Sequence, residues 1–347
     1  MNTRRYSNLA TRLKRFILIG VVSLVVWLLW LAPDNSNALR PPVMSATISE
    51  PCIELRPQTA THQDAVVEKP GQHCVMSNFW QRVLHGAGHS WPGDYHHLMD
   101  VWSSNVTIDL MNHTLRADSA SSGIVIYFDG FNGSQLPSNF ARNITIKNGV
   151  IDIRGSGAAV ADLYKWRLAM IDEKIPDNFE GFEKTKVTLD NLTIKVNRTS
   201  IVLEGDGNTI KNCIIESSGN AAITLAGPNG KIINNTIILT DPFFPQWFSS
   251  GRYTGNVLTR FFEARRINRA AIVLHQGNGT VISGNRIEVK GKSPIRHNIY
   301  LTDASENVRI EGNTFVGAED PVTLVKGSTA TMKNNVFEHR EAPWWKF

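Results

Sequence analysis

Three polar residues in the last third of the chain are of the types that could together remove a proton from a sugar acid: His275, Arg296 and Tyr300. In a β-elimination from a uronic acid, a base takes the proton beside the carboxylate and a cation neutralises the enolate that develops. We therefore interpret His275 as the base, Tyr300 as the proton donor and Arg296 as the carboxylate clamp. Glu204 is a fourth candidate catalytic residue, since it could flank the sugar ring opposite His275.

Hydrolysis of a glycosidic bond would need a different set of residues, namely two carboxyl groups that face the bond. The carboxylates available for such a pair are Asp162, Glu204, Asp206 and Asp303. No two of them have a sequence spacing that marks a catalytic pair, so elimination is the simpler chemistry for this chain.

Two long insertions are predicted to bind substrate. One covers residues 163–186 and the other residues 241–270, and the second is rich in aromatic residues and arginine. Long loops on a rigid scaffold commonly carry function, and guanidinium groups suit a polysaccharide that bears carboxylates or sulfates. The alternative is that the loop aromatics pack onto the scaffold, or contact the membrane or a protein partner. The predicted substrate-binding residues are Asp162, Trp166, Trp247, Tyr253, Arg265 and Arg266.

Four histidines within 13 residues have a density that could ligate zinc or copper: His85, His89, His96 and His97. The glycines and the proline between them break any helix that would align His85 with His89 on one face. The sequence therefore predicts a polar turn here and no metal site.

A repeated phrase provides the scaffold that must position these side chains. Each copy has a β-branched segment, an asparagine and a second β-branched segment, and three of the intervals between successive asparagines are 21, 23 and 22 residues. Alternation at period 2 indicates strands, and a repeat of about 22 residues indicates a solenoid in which each unit is buried by its neighbours. We expect the asparagines to stack as one internal ladder of hydrogen-bonded amides. They are Asn112, Asn148, Asn191, Asn212, Asn235, Asn285, Asn313 and Asn335.

A second set of strands, one in each repeat, would carry the candidate site. Glu204, Ala226 and His275 would follow one another on the outward side of these strands. Because adjacent coils lie ~4.8 Å apart, Glu204 and His275 would be about 10 Å apart across the small side chain of Ala226. The inward position of the same strands is predicted to hold Leu203, Leu225, Leu274, Leu301 and Leu324.

The run PGDYHHLMDVWSSNVTIDLMNHTLRA, which begins at Pro92, resembles the opening of right-handed parallel β-helix proteins of the pectin-lyase-like superfamily. Met111 and Asn112 stand where that opening usually has Asn-Gly. The resemblance covers about residues 90 to 340 and implies an all-β fold, a single-stranded right-handed parallel β-helix. The superfamily includes lyases, hydrolases, epimerases and proteins without known activity. Its pectate lyases bind calcium, but their calcium-ligand cluster is not found in this sequence, so the cofactor is left unassigned.

The amino terminus predicts a membrane anchor. Residues 1–15 hold five basic residues and no acidic one, and residues 16–32 contain no charge. Seventeen apolar residues are at the short limit for a membrane-spanning helix and rather long for the core of a signal peptide. The basic flank would keep the amino terminus in the cytoplasm and place the remainder in the periplasm or outside the cell. A cleavable signal ending near Ala38 is the alternative.

The net charge of +5 comes from that amino terminus. Without its five basic residues the chain has 31 Lys and Arg against 31 Asp and Glu. The exported part is therefore neutral overall, and this argues against binding to nucleic acid.

The remaining boundaries follow from the cysteines and from the repeat. Cys52 and Cys74 both precede the repeats, so they are the expected disulfide, whereas Cys213 lies inside a repeat and is expected to be buried. We predict a linker at 33–74, an N-terminal cap at 75–104 that opens with a helix over 75–84, the β-helix at 105–340 and a C-terminal tail at 341–347. The helix would cover the first coil, and the aromatic tail would cover part of the last.

Taken together, these features predict a membrane-anchored protein outside the cytoplasm that binds or cleaves polysaccharide. The expected partner is an acidic polysaccharide or another glycan of the cell envelope. The alternative is a non-enzymatic structural or adhesion module that presents its loops to a protein. An open groove lined by Arg296, Glu204 and His275 would favour the first function, and a tightly packed apolar one the second.

Overall fold

Parallel strands account for all the regular structure in the part of the chain that is described. The computed structural model describes residues 51–56, 65–81, 97–118, 122–127, 140–154, 158–162, 184–197, 200–219, 221–240, 270–291, 297–302, 305–318 and 320–338. These residues form 26 strands, numbered in chain order, which pair into two sheets.

Sheet 1 contains the strands that flank the repeated asparagine. It has 17 strands: β1 (Ile53–Leu55), β3 (Gly71–Val75), β4 (Phe79–Gln81), β6 (Val106–Asp109), β7 (Thr114–Ala117), β9 (Ile144–Ile153), β11 (Thr188–Val196), β13 (Thr209–Lys211), β14 (Ile214–Ser217), β16 (Lys231–Ile233), β17 (Thr236–Leu239), β19 (Val281–Ser283), β20 (Arg286–Val289), β22 (Val308–Glu311), β23 (Thr314–Val316), β25 (Ala330–Lys333) and β26 (Val336–Glu338).

Sheet 2 contains the second strand of each coil. Its nine strands are β2 (Ala65–Val67), β5 (His97–Val101), β8 (Ser122–Ile126), β10 (Val160–Asp162), β12 (Ile201–Glu204), β15 (Ala221–Ala226), β18 (Ala270–His275), β21 (His297–Leu301) and β24 (Val322–Leu324). Each pairs in parallel with the equivalent strand of the next coil, and their order in the sheet follows the chain. The predicted all-β parallel solenoid is confirmed.

The leucines of sheet 2 are in the register that the sequence predicts. Leu203 lies opposite Leu225, which lies opposite Leu274, and the column continues through Leu301 to Leu324. The apolar side chains of both sheets meet in one continuous core cluster that runs from Leu55 to Phe315. Because the side-chain period of a strand is 2, this inward column fixes which residues of sheet 2 can face outward.

The repeated asparagines form two columns, so the expectation of a single ladder is wrong. Asn235, Asn285, Asn313 and Asn335 bond one another inside the coil, each Nδ2 donating to the next Oδ1 at 2.9–3.1 Å. These four residues form the inner column. By contrast, Asn148, Asn191 and Asn212 have φ between 53° and 58° and lie one position earlier in the turn, in an outer column.

The inner position of those earlier coils is taken by other residues. Cys213, the residue after Asn212, occupies the inner position in its coil. The hydrogen bond that its backbone N–H donates to Oδ1 of Asn235 at 2.9 Å indicates this. In a preceding coil the position falls on Gly149, where an added Cβ would lie 2.4 Å from the Cβ of Leu110. Asparagine can adopt the left-handed backbone of the outer position, and it can also stack its amide at the inner one. The sequence alone therefore does not show which of these two neighbouring positions each asparagine occupies.

The first coil begins earlier than predicted, and the helix predicted over 75–84 is wrong for the residues described there. Strands β3 and β4 occupy 71–75 and 79–81, and β4 pairs in parallel with β7. Phe79 is buried and Trp80 is exposed, as strand alternation requires. Pairing with the next coil supplies the backbone hydrogen bonds that a helix would have made internally. Strands β1 and β2 likewise lie within the segment predicted as a linker.

Cys52 and Cys74 form the expected disulfide, with 5.8 Å between their Cα atoms. The bond joins the residue before β1 to β3, the partner of β1 in sheet 1. The two cysteines are 22 residues apart in the sequence. In the loop-entropy model, closing a loop of that length stabilises the folded state by about 3 kcal/mol.

The two ends of the described solenoid differ in how well their inward side chains are covered. Leu55, Val67 and Phe79 of the first coils are buried, whereas Leu324 and Phe337 of the last coil are 43% and 47% exposed. The tail at 341–347 that the sequence offers as a cover lies outside the described residues.

None of the described segments forms an apolar helix of membrane-spanning length. The basic segment 1–15 and the predicted anchor 16–32 are not among those residues.

Candidate functional site

The outward side of sheet 2 brings together Glu204, His275 and Tyr300. Glu204 lies opposite Ala226, and Ala226 lies opposite His275, as predicted. Two steps between parallel strands separate Glu204 from His275, which is about 10 Å along the solenoid. Glu204 and His275 are therefore on one face with a small side chain between them.

This row is less open than the sequence suggested. Glu204 is 4% exposed and His275 is 9% exposed, and Val273 beside them is also buried. Ala221, Ala270 and Val273 form a small apolar cluster on this side, against which Tyr300 packs. The face is thus partly apolar, with polar groups at its edges.

His275 is held by a threonine of the next coil. Thr302 follows β21, and its Oγ1 is hydrogen-bonded to Nδ1 of His275. The same hydroxyl donates to the carbonyl oxygen of Leu274 at 3.2 Å. One ring edge of His275 is thereby fixed against the scaffold.

Tyr300 lies on the strand next to His275, opposite Val273. Its position is one strand across and two residues back from His275, so their Cα atoms are about 8 Å apart. The Tyr300 ring stacks on the imidazole of His297, with 5.5 Å between the ring centroids and 28° between the planes. Nδ1 of His297 in turn contacts Oγ1 of Thr323 at 2.8 Å.

His297 is a candidate that sequence reasoning missed. Strict alternation turns His297 to the same side as the inward Ile299. This alternation fails at the start of the strand, because the side chain of Asn298 points into the coil and donates from Nδ2 to the carbonyl oxygen of Ile287 at 2.8 Å. His297 lies instead on the outward side, where it contacts Tyr300 and Thr323, and period-2 alternation gives no signal of this position.

Asp162 was expected to bind substrate, but it lies in the inward column of sheet 2, opposite Ile126. Its Oδ2 accepts a hydrogen bond from the backbone N–H of Glu204 at 2.7 Å. Asp162 and Glu204 also line a cavity of about 10 Å³ together with Tyr127. That volume holds about one water molecule and no sugar ring. Asp162 is best explained as an acceptor that shapes the corner of the coil.

An aromatic group lies on the outward side of the earlier coils. The ring centroids of Trp102 and Tyr127 are 5.5 Å apart, and those of His97 and Tyr127 are 6.0 Å apart. Burial raises the pKa of Tyr127 above its ordinary range, and the carboxylate of Asp100 adds to the effect. Tyr127 is therefore a neutral phenol at any physiological pH.

Several predicted site residues cannot be placed, because they lie outside the described residues: Arg296, Trp166, Trp247, Tyr253, Arg265 and Arg266. The same holds for three of the four clustered histidines, and the fourth, His97, begins β5. Among the residues described, no group of three or more His, Cys, Asp or Glu side chains could hold a metal ion.

The pairing pattern agrees with a family-level match. The family model for the right-handed β-helix region matches residues 178–342. Residues 178–342 thus resemble right-handed β-helix regions, and the described strands before and after them continue the same parallel coils.

Other comparisons with this β-helix protein add little. No curated protein matches its sequence. Two crystal structures of the periplasmic alginate epimerase AlgG resemble it, one of them a mutant. They share 8% and 9% of residues, with TM-scores of 0.20 and 0.21, over 81% of this chain and 79% of theirs. A likeness at such low TM-scores does not bear on the activity of this protein.

Proposed function

We propose that this β-helix protein binds and cleaves an acidic polysaccharide at the outward side of sheet 2. The observation that carries the proposal is the position of His275, held at Nδ1 by Thr302 and next to Tyr300 on the neighbouring strand. A histidine fixed at one ring nitrogen is suited to act as a general base at the other.

The reaction proposed is β-elimination at a uronic acid residue. His275 removes the proton from the carbon beside the carboxylate, and the electron pair forms a double bond to the adjacent carbon. The glycosidic C–O bond at that carbon breaks, and Tyr300 donates a proton to the departing oxygen. Arg296 would neutralise the carboxylate as charge develops. Glu204, two strands away, would contact the neighbouring sugar.

A location outside the cytoplasm is part of the same proposal. The Cys52–Cys74 disulfide is typical of an oxidising compartment and supports this location. Residues 16–32 would anchor the chain to the membrane, with the amino terminus in the cytoplasm and the β-helix in the periplasm or outside the cell.

A non-enzymatic module for structure or adhesion is the second candidate. The low exposure of Glu204 and His275 favours it, since a binding face between proteins needs no open catalytic groove. In that case sheet 2 would be a rigid support, and the loops would contact a protein partner.

The test is to incubate the purified full-length protein in detergent with a panel of acidic polysaccharides and to follow the absorbance of unsaturated chain ends. We expect turnover on at least one uronic acid polymer, abolished by His275→Ala at an unchanged melting temperature. His113→Ala, in a turn of sheet 1, is the matched control and should retain full turnover. Absence of both turnover and glycan-array binding would refute the proposal and leave the adhesion module. Unchanged turnover in His275→Ala would eliminate His275 as the base.

A further inference from the structure

Two successive coils repeat the same contact between a histidine and a threonine. Nδ1 of His275 is hydrogen-bonded to Oγ1 of Thr302, and Nδ1 of His297 contacts Oγ1 of Thr323 at 2.8 Å. In both cases the threonine belongs to the coil after that of the histidine. The repetition matters because the partner of Nδ1 decides which ring nitrogen of a neutral histidine holds the proton.

For His275 the second contact of Thr302 indicates the direction of the bond. A hydroxyl has one proton to donate, and a carbonyl oxygen can only accept. Oγ1 of Thr302 donates its proton to the carbonyl oxygen of Leu274 at 3.2 Å. The hydroxyl therefore accepts from His275, so Nδ1 carries the proton and Nε2 carries the lone pair.

For His297 the direction follows from a carbonyl group. Nδ1 of His297 lies 3.2 Å from the carbonyl oxygen of Asp320 in addition to its contact with Thr323. Two lone pairs facing each other at that distance would repel, so Nδ1 must be the donor and Nε2 again the acceptor. The arrangement of His275 thus recurs at His297.

We propose that Thr302 is a positioning residue that holds His275 with the proton on Nδ1, and that Thr323, together with the carbonyl oxygen of Asp320, holds His297 in the same tautomer. Nε2 of His275 is then the atom that accepts the substrate proton, and this part rests on the proposed function. His297, stacked on Tyr300, is a second histidine of the site in the same state. The tautomers themselves are independent of any substrate.

A third histidine provides an internal reference of the opposite kind. His73 contacts the carbonyl oxygen of Lys69 through Nε2 at 2.8 Å, so its proton is on Nε2. One protein therefore contains both tautomers, in sheet 1 and in sheet 2, and a single spectrum can compare them.

The experiment is ¹⁵N NMR of the full-length protein, labelled at the histidine rings and kept in alkaline buffer so that the neutral ring is observed. Resonances are assigned with single His→Gln variants. Protonated ring nitrogens resonate far upfield of unprotonated ones. We expect His275 and His297 to show a protonated Nδ1 and His73 a protonated Nε2.

Thr302→Val should shift the tautomer ratio of His275 by about fivefold, the effect of one lost hydrogen bond, and leave the tautomer ratio of His297 unchanged. Thr302→Ser should restore it, and Thr323→Val should affect His297 alone.

A protonated Nε2 on His275, or a ratio unaffected by Thr302→Val, would overturn the proposal whatever the activity. On a polysaccharide that is turned over, Thr302→Val should lower kcat by about the same factor at an unchanged KM, and Thr302→Ser should rescue it. Expected tautomers without any turnover would support the positioning and refute only the proposed function.

Discussion

Replacing one asparagine of the inner column tests the two-column arrangement of the turn. The carboxamide of Asn285 accepts hydrogen bonds from the backbone N–H and the Nδ2 of Asn235, both at 2.9 Å. Its own Nδ2 donates to the carbonyl oxygen of Ile232 at 2.8 Å and to Oδ1 of Asn313 at 2.9 Å. Asn285→Ala would leave at least two buried polar groups without these partners. At about 1–3 kcal/mol for each, we expect a loss of about 3 kcal/mol in the free energy of unfolding.

The matched control is Asn212→Gly in the outer column. Asn212 is exposed, and its Nδ2 makes a single side-chain bond, to Asp190 at 2.9 Å. Glycine already holds the outer position at Gly284 and Gly312, with φ of 66° and 64°. The substitution should therefore cost less than about 1 kcal/mol. Guanidinium unfolding followed by circular dichroism measures both variants, and equal losses would refute the distinction between the columns.

Three further predictions concern the scaffold. Burial raises the pKa of Cys213 to about 12, so iodoacetamide at about pH 9 should leave it unmodified in the folded protein and label it after unfolding. Replacing both Cys52 and Cys74 by serine should lower the free energy of unfolding by about 3 kcal/mol, and reducing agent should then have no further effect. Gly149→Ala should cost about 1–3 kcal/mol, because the new Cβ would meet the Cβ of Leu110 at 2.4 Å, and a wild-type melting temperature would contradict this packing.

The sequence was sufficient for the architecture because two independent patterns report one period. The leucine column and the asparagine phrase both require parallel coils, and both are found. The pairing of Cys52 with Cys74 was also predictable, since the remaining cysteine lies inside a repeat.

The errors fall where one residue type satisfies two environments. Asparagine fits both positions of the turn, so its column could not be fixed from spacing alone. The separation of Val75 from Phe79 fits one face of a helix, yet the two residues lie on either side of a corner between strands. His297 lies at the start of its strand, where alternation no longer predicts the side of the sheet, whereas Asp162 lies on the inward side that alternation gives it. The candidate site lies near strand ends, so the sequence predicts its surroundings less well than the core.

The spacing of the inner asparagines has a consequence for how this molecule could change over time. Asn235 and Asn285 are 50 residues apart, whereas Asn313 and Asn335 are 22 apart, yet both pairs bond in the same way. The entropy of closing a flexible loop grows only with the logarithm of its length, so the longer excursion costs about 0.7 kcal/mol more than the shorter one. Lengthening or exchanging a loop beside sheet 2 is therefore nearly neutral for stability. The residues next to His275 can therefore change while the coils beneath them keep their register.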